Sequence, residues 1–267
     1  IAFKKFRAAD GIWGSPWVGF DQFTKFFQSY MFARVLRNTI IVSLYSLIAG
    51  FPMPIILALI LNSLRSDRYR KVAQTITYLP YFISTVVLVG ILTQMLNPRV
   101  GLVANLYRMF ADNEMPNVMA SPGAFPHLYV WSGVWQSMGY NSIIYIAALA
   151  NTDPELHEAA EVDGASRFQR VIHIDLPTIL PTASILLIMN CGNIMNVGFE
   201  KAFLMQNNAN METSEVISTY VYKVGLGNTV TDFSYATAIG LFNSIINLIM
   251  IIVVNTITKR LNGNSLF

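Results

Sequence analysis

The stretch from Asn151 to Pro181, NTDPELHEAAEVDGASRFQRVIHIDLPTILP, decides how the chain is read. It carries charge without a disordered composition, and it lies between two strongly apolar segments. Glu155, Glu158 and Glu161 recur at helical spacing, and Asp163-Gly164 follows at once. Thr152-Asp153-Pro154-Glu155 is a helix start. Either Asp153 caps with Pro154 at the first helical position, or Thr152 and Glu155 form a capping box. Acidic residues in a first turn also suit the positive end of the helix dipole. Gly164, which adopts a left-handed conformation at no steric cost, ends the short helix. Ala159 and Ala160 leave the helix surface smooth for a close partner, and Glu158 offers a carboxylate to an arginine across such an interface. The stretch reads as a docking surface that a membrane protein presents to a soluble partner. An ordinary capped helix in a loop is the plainer reading, but it leaves the loop's length and regularity unexplained.

Composition agrees with a membrane setting. Apolar residues make up 54% of the 267 and charged residues 12%, about half the ~25% of an ordinary soluble domain. Mean hydropathy is +0.46. The apolar residues gather into runs near the ~20 residues that cross ~30 Å of hydrocarbon. An all-α, polytopic membrane protein follows. The net charge of +3 is small and dispersed, which argues against a nucleic-acid partner. Cys191 is the single cysteine and has no intrachain partner. His127, His157 and His173 lack metal-ligand spacing, so no metal site is expected. No GxxxxGK[ST] loop is present, so ATP is not bound in the P-loop manner.

Five spans are expected, at about 38–61, 72–96, 128–150, 182–199 and 235–257. Pro52 and Pro54 predict a kink in the first, and Pro80 sits near the middle of the second. The third is unusually polar, with Gln136, Tyr140 and Asn141. Residues 1–37 alternate aromatic and basic side chains and are broken by Gly11, Gly14, Pro16 and Gly19, which reads as an interfacial belt. Residues 62–71 hold Arg65, Arg68, Arg70 and Lys71 against Asp67, which places them in the cytoplasm. Alternation then puts 151–181 inside, and 97–127 and 200–234 outside. Residues 1–37 would also be outside despite six basic residues (Lys4, Lys5, Arg7, Lys25, Arg34 and Arg37), which conflicts with the charge rule.

The spacing of the opening stretch resembles a known family. Glu158-Ala159-Ala160, three residues, Gly164, nine residues, Ile174, one residue, Leu176-Pro177 is similar to the EAA signature of ABC-importer permease subunits. Trp13-Gly14-Ser15-Pro16-Trp17-Val18-Gly19, Gly198-Phe199-Glu200 and Thr219-Tyr220-Val221-Tyr222 resemble segments of the LplB-like carbohydrate-uptake group. The resemblance covers nearly the whole chain and implies a type I importer transmembrane domain in the bacterial inner membrane. It also implies a first span before residue 1, in keeping with the start at Ile1 without Met.

The resemblance further implies a second homologous permease in a heterodimer, two ATPase subunits carrying ATP and Mg, and an extracytoplasmic solute-binding protein that delivers a saccharide. No cofactor is expected on this chain, and no catalysis of its own. Glu158 becomes the polar anchor in a groove of the ATPase, Ala159 and Ala160 the close contact, and Asp163, Gly164 and Ala165 the turn. Ile174, Leu176 and Pro177 start the return into the membrane.

Polar residues within spans usually face a bundle interior or a watery path. Asn190, Asn193 and Asn196 step by roughly 300° each along a helix, so they wind slowly around one broad face. Amides suit sugar hydroxyls and aromatic rings suit sugar faces. Glu200, Gln136, Tyr140, Tyr45 and Asn243 are further substrate-path candidates. Helix-to-helix hydrogen bonding is the competing account of all these polar residues. Uronate oligomers and neutral oligosaccharides both stay open as cargo. A secondary transporter or an intramembrane enzyme is the alternative class, but no inverted repeat, paired intramembrane aspartates or Ser–His arrangement supports it.

Overall fold

The computed structural model describes residues 1–64, 66–111, 113–227 and 231–262, with the backbone alone over 260–262. Arg65 of the basic 62–71 loop lies outside the described residues, as does the side chain of Arg260. The described chain is helical. Its longer elements are α1 (Asp21–Gln28), α2 (Tyr30–Gly50), α3 (Pro52–Asn62), α4 (Asp67–Tyr78), α5 (Thr85–Met95), α6 (Leu102–Arg108), α7 (Phe125–Leu149), α8 (Pro154–Val162), α9 (Leu176–Gly192), α10 (Phe199–Met205), α11 (Ile217–Tyr222) and α12 (Phe233–Asn262). No strand occurs among the described residues, where Lys4–Trp17 and Arg7–Gly11 form isolated bridges.

Among the described residues, three helical runs are long and apolar enough to cross a membrane: Tyr30–Asn62, Arg167–Gly192 and Phe233–Lys259. Counting Asp67–Phe82 with Thr85–Met95 as one broken span makes four. The expected five are therefore not matched. The run around Leu128–Ala150 is helical in α7, but Gln136, Tyr140, Asn141 and Ser142 dilute its apolar character. The 72–96 run does not form one rod. Pro80 has no N–H to continue the ladder, so the chain tightens into a 3₁₀ turn over Leu79–Phe82, extends at Ile83, and resumes at Thr85. The freed Ile83 carbonyl accepts a hydrogen bond of 2.7 Å from Gln136 Nε2. The first span resets at Phe51, just where Pro52 and Pro54 remove donors. The fourth begins earlier than expected, because helix continues from Arg167 through a π-turn (Val171–Asp175) into α9. Many apolar side chains on these helices, such as Ile48, Ile56, Ile60, Leu248 and Ile252, stay exposed. Such a surface suits lipid or a partner helix and would be costly in water.

The chain divides into two compact units. One comprises Ile1–Leu44, Thr85–Tyr129 and Asn193–Ile249. Its first core gathers Phe26, Met31 and Val35 with Met195, Ile217, Tyr235 and Ile239. A second gathers Val42, Val89, Phe125, Val197, Ala202, Met205 and Val216. The N-terminal segment is more than an interfacial belt. Phe23 and Phe26 lie three residues apart on one face of α1, which turns them inward. Phe23 and Phe26 are buried, while Trp13, Trp17 and Phe20 remain exposed. Phe26 meets Phe242 of α12 edge-on at 5.6 Å, and Lys25 pairs with Asp232 at 2.7 Å. The Phe6 N–H donates to Ser234 Oγ at 2.8 Å.

Within the same unit, the loops 97–127 and 200–234 are joined. Asn207 and Asn210 side chains both donate to the Met119 carbonyl (2.8 and 3.0 Å), and the Thr213 hydroxyl donates to Pro122 O at 2.6 Å. Residues 1–37 reach the second of these loops through the Phe6–Ser234 and Lys25–Asp232 contacts. Asn210 is 1% exposed and also bonds Met205 O, the Asn207 N–H and the Ser214 hydroxyl. Asn210→Ala is expected to cost about 2–3 kcal/mol by leaving these groups unpaired. A thermal-unfolding scan of the solubilised protein measures this, and an unchanged midpoint would show that the loops are held by other contacts.

The second unit comprises Tyr45–Ser84, Val130–Gly192 and the chain from Met250 onward. Its core packs Ala58 of α3, Tyr145 and Leu149 of α7, and Ile179 and Ala183 of α9. Here α7 crosses α4 with Gly139 against the Thr77 carbonyl. Beside that crossing Tyr140 stacks on Tyr81, with ring centroids 3.8 Å apart.

Candidate functional site

The 151–181 stretch folds as two short helical pieces joined by a sharply closed turn. Asp153 caps α8 by accepting from the Glu155 N–H at 3.0 Å, with Pro154 at the first helical position. Of the two starts the sequence allowed, the Asp153 cap is therefore the one present. At the other end Gly164 sits at φ +79°. Its N–H donates to Glu161 O at 3.1 Å, and the next N–H, of Ala165, reaches back to Ala160 O at 2.8 Å. That pair of bonds is a Schellman closure, which needs a left-handed residue at the position Gly164 occupies. Immediately afterwards Ser166 and Gln169 form a reciprocal capping box at 3.3 and 2.7 Å, starting the helical turn Arg167–Arg170. Arg170 Nη1 then bonds Glu161 Oε2 at 2.8 Å across the corner.

The exposed face of α8 carries Leu156, Glu158, Ala159 and Val162, with Val162 88% exposed. Ala160 is half-buried, so Ala159 is the alanine that leaves the surface open, while Ala160 closes the turn. Phe168, 73% exposed, extends the apolar patch beyond the corner. Asp163 and Pro177 are exposed, and Ala165, Ile174 and Leu176 are half-buried. Pro177 cannot donate back to His173, and its ring crowds that carbonyl, which accounts for the π-turn just before it. The opposite side of α8 turns His157 toward Asp175, whose carboxylate is 3% exposed.

The substrate-path candidates do not lie on one face. Helix α9 ends at Gly192, so Asn190 is in its last turn while Asn193 and Asn196 follow in a turn. Asn190 belongs to the second unit and the other two to the first. Asn190 helps line a cavity of about 130 Å³ with Asn141, Tyr145, Gly50 and Pro54. Asn196 donates to Asn193 Oδ1 at 3.3 Å and accepts from Asn243 at 3.0 Å. Asn247, which sequence reasoning had not placed among the candidates, accepts from the Met195 N–H at 3.0 Å. The amides of α12 thus hold the turn that follows α9. Gln136 is committed to Ile83, and the Tyr45 hydroxyl accepts from Trp131 Nε1 at 2.7 Å. Tyr140 remains 41% exposed beside its stack, and Glu200 is exposed in the first turn of α10.

The neighbour of Glu200 was also overlooked. Lys201 is 9% exposed, donates to Tyr129 O at 2.8 Å, and lies 4.8 Å from the Tyr129 ring centroid. Burial pushes its ammonium down to about 8. The adjacent Gly198-Phe199-Glu200 was the only signal near it in the sequence.

Comparison with known proteins agrees with this arrangement. Residues 50–263, which include the whole helix–turn–helix corner, match the family described as binding-protein-dependent transport system inner membrane component. Protein LplB of Bacillus subtilis is 39% identical over 267 residues, 100% of this chain and 83% of that protein. The polygalacturonan/rhamnogalacturonan transport system permease protein YteP of Bacillus subtilis is 36% identical over 267 residues, 100% of this chain and 82% of its own length. A solved bacterial alginate ABC transporter, in complex with an alginate pentasaccharide-bound periplasmic protein, superposes with a TM-score of 0.89 at 40% identity. That alignment covers 93% of this chain and 85% of the other. The chain therefore belongs to the family of binding-protein-dependent transport system inner membrane components.

Proposed function

We propose that the chain is the permease subunit of an ABC importer in the bacterial inner membrane, forming a path for a saccharide delivered by an extracytoplasmic binding protein. The observation that carries this reading is the closed corner Ala160–Gly164–Ala165, which presents Leu156, Glu158, Ala159 and Val162 outward. That surface suits a groove on a separate ATPase, with Glu158 as anchor, so that ATP hydrolysis on two partner subunits moves this chain and a second permease. Similarity to permeases named for polygalacturonan/rhamnogalacturonan and alginate supports a saccharide cargo and favours acidic ones. The 62–71 loop and the 151–181 stretch would face the cytoplasm. Asn62 and Asp175, 3.3 Å apart, bring those two segments to one end of their unit. Tyr45, Gln136, Tyr140, Asn190, Asn193, Asn196, Glu200 and Asn243 remain the candidates for lining the path, with Asn190 beside the small cavity and Glu200 exposed.

The test is uptake by the reconstituted importer, with its binding protein, of oligogalacturonates, alginate oligomers and neutral oligosaccharides in parallel. ATP-dependent uptake of one of these classes is expected. Uptake driven by an ion gradient without ATP would establish a secondary transporter instead.

A further inference from the structure

The EAA signature leaves unexplained how a pull on a short exposed helix reaches the membrane-spanning core. The geometry points to a polar strut made of His157, Asp175 and Asn62, which we propose transmits movement of α8 into α3 and α9. This rests on the ATPase-coupling reading above. None of the three residues belongs to the exposed docking face.

Asp175 is the last residue of the π-turn, immediately before Leu176-Pro177. Its carboxylate Oδ1 accepts from Asn62 Nδ2 at 3.3 Å and lies 3.3 Å from His157 Nε2 in an ion-pair contact. His157 precedes Glu158 on α8, and Asn62 is the last residue of α3. One buried oxygen therefore joins three segments that are far apart in sequence. Asn62 lies one helical turn beyond Ala58, and Asp175 one turn before Ile179. Ala58 and Ile179 pack together in the core that also holds Tyr145 and Leu149 of α7. The strut thus sits directly above the packed core, in line with its contact faces.

Stability alone does not account for such an arrangement. A buried carboxylate is costly to desolvate, and an apolar trio of similar volume would serve packing as well or better. Hydrogen bonds differ from apolar contacts in being directional, so they resist sliding of α8 over α3 and α9. The brace between Arg170 and Glu161 stiffens the corner itself, so α8 moves with the turn as one body. Without the strut, α8 would keep its shape and its outward face, but displacement would be absorbed where α8 meets the core.

The experiment uses the assembled importer in nanodiscs, with ATP hydrolysis measured with and without its substrate-loaded binding protein. His157→Ala and Asp175→Ala are expected to retain the ATPase subunits within about twofold, while binding-protein stimulation falls about fivefold. His157→Gln, which keeps a donor at similar reach, should recover most of the stimulation. A purely structural role predicts a lowered unfolding temperature with stimulation per assembled complex unchanged, and that result overturns the strut. Should Asp175→Ala fail to assemble, His157→Ala decides alone, because His157 is partly exposed and its loss leaves the core intact. A wild-type chain that retains no ATPase overturns the coupling reading and the strut with it. One that retains ATPase, with variants stimulated as well as wild type, overturns the strut only.

Discussion

Glu158→Lys is expected to abolish ATP-driven uptake and to strip the ATPase subunits from the purified importer. Glu158 lies mid-helix on the exposed face of α8, between Leu156 and Val162, so the substitution leaves the Asp153 cap and the Gly164 closure untouched. Its carboxylate has no ion-pair partner among the described residues. On docking, the apolar neighbours exclude water around it. On the proposed coupling reading, a reversed charge there would face a cation of the ATPase groove, and stranding a charge in a desolvated contact costs about 3–5 kcal/mol. At ~1.4 kcal/mol per decade, that weakens association by roughly two to four orders of magnitude. Glu158→Gln keeps a hydrogen-bond acceptor and should lose far less. Co-purification and uptake measured side by side check this. If the Lys variant holds its ATPase and transports normally, α8 is not the coupling contact.

The second large effect is expected where α7 crosses α4, at Gly139. A Cβ on this residue would collide with the Thr77 carbonyl of α4, a backbone atom that cannot rotate away. The crossing is pinned on both sides by the Gln136–Ile83 hydrogen bond and by the Tyr140–Tyr81 stack. Separating α7 from α4 to admit a methyl group would loosen both. Overpacking typically costs about 1–3 kcal/mol, and a fixed backbone neighbour puts Gly139→Ala at the upper end. We expect a clearly lowered unfolding temperature for Gly139→Ala and little folded protein for Gly139→Leu, read by thermal unfolding and size-exclusion profile in detergent. An unaltered profile for the leucine variant would show that the helices separate freely at this point.

The shape of the 151–181 corner was legible because its determinants are local. The Asp153 cap, Gly164 and Leu176-Pro177 act through backbone geometry within a few residues, and spacing reports such geometry directly. Ala160 was misjudged in part, since its exposure depends on what α8 packs against and not on α8 itself. The substrate-path residues were the least legible. Asn190, Asn193 and Asn196 share a periodicity that assumes an unbroken helix, and the helix ends at Gly192. Gln136 and Asn243 are polar because distant backbone and side chains need them, which no local pattern reveals. The aromatic N-terminal segment shows the same divide: its alternation of aromatic and basic residues read as an interfacial belt, but did not disclose that a helix over Asp21–Gln28 would bury Phe23 and Phe26 against α12.

Taken by itself, the sequence determined a helical membrane protein with one rigid, capped corner between apolar segments, because hydropathy, capping and left-handed glycine are properties of short stretches. Only the tertiary structure decided how many runs are long and apolar enough to span and which amides are already spent on internal contacts. The same holds for the joining of α8, through His157 and Asp175, to Asn62, which lies 113 residues before Asp175. Those outcomes depend on which groups meet across long loops, where burial and hydrogen-bond pairing outweigh local preference. The 151–181 stretch takes its shape from its own residues, and the fold supplies its connection to the core.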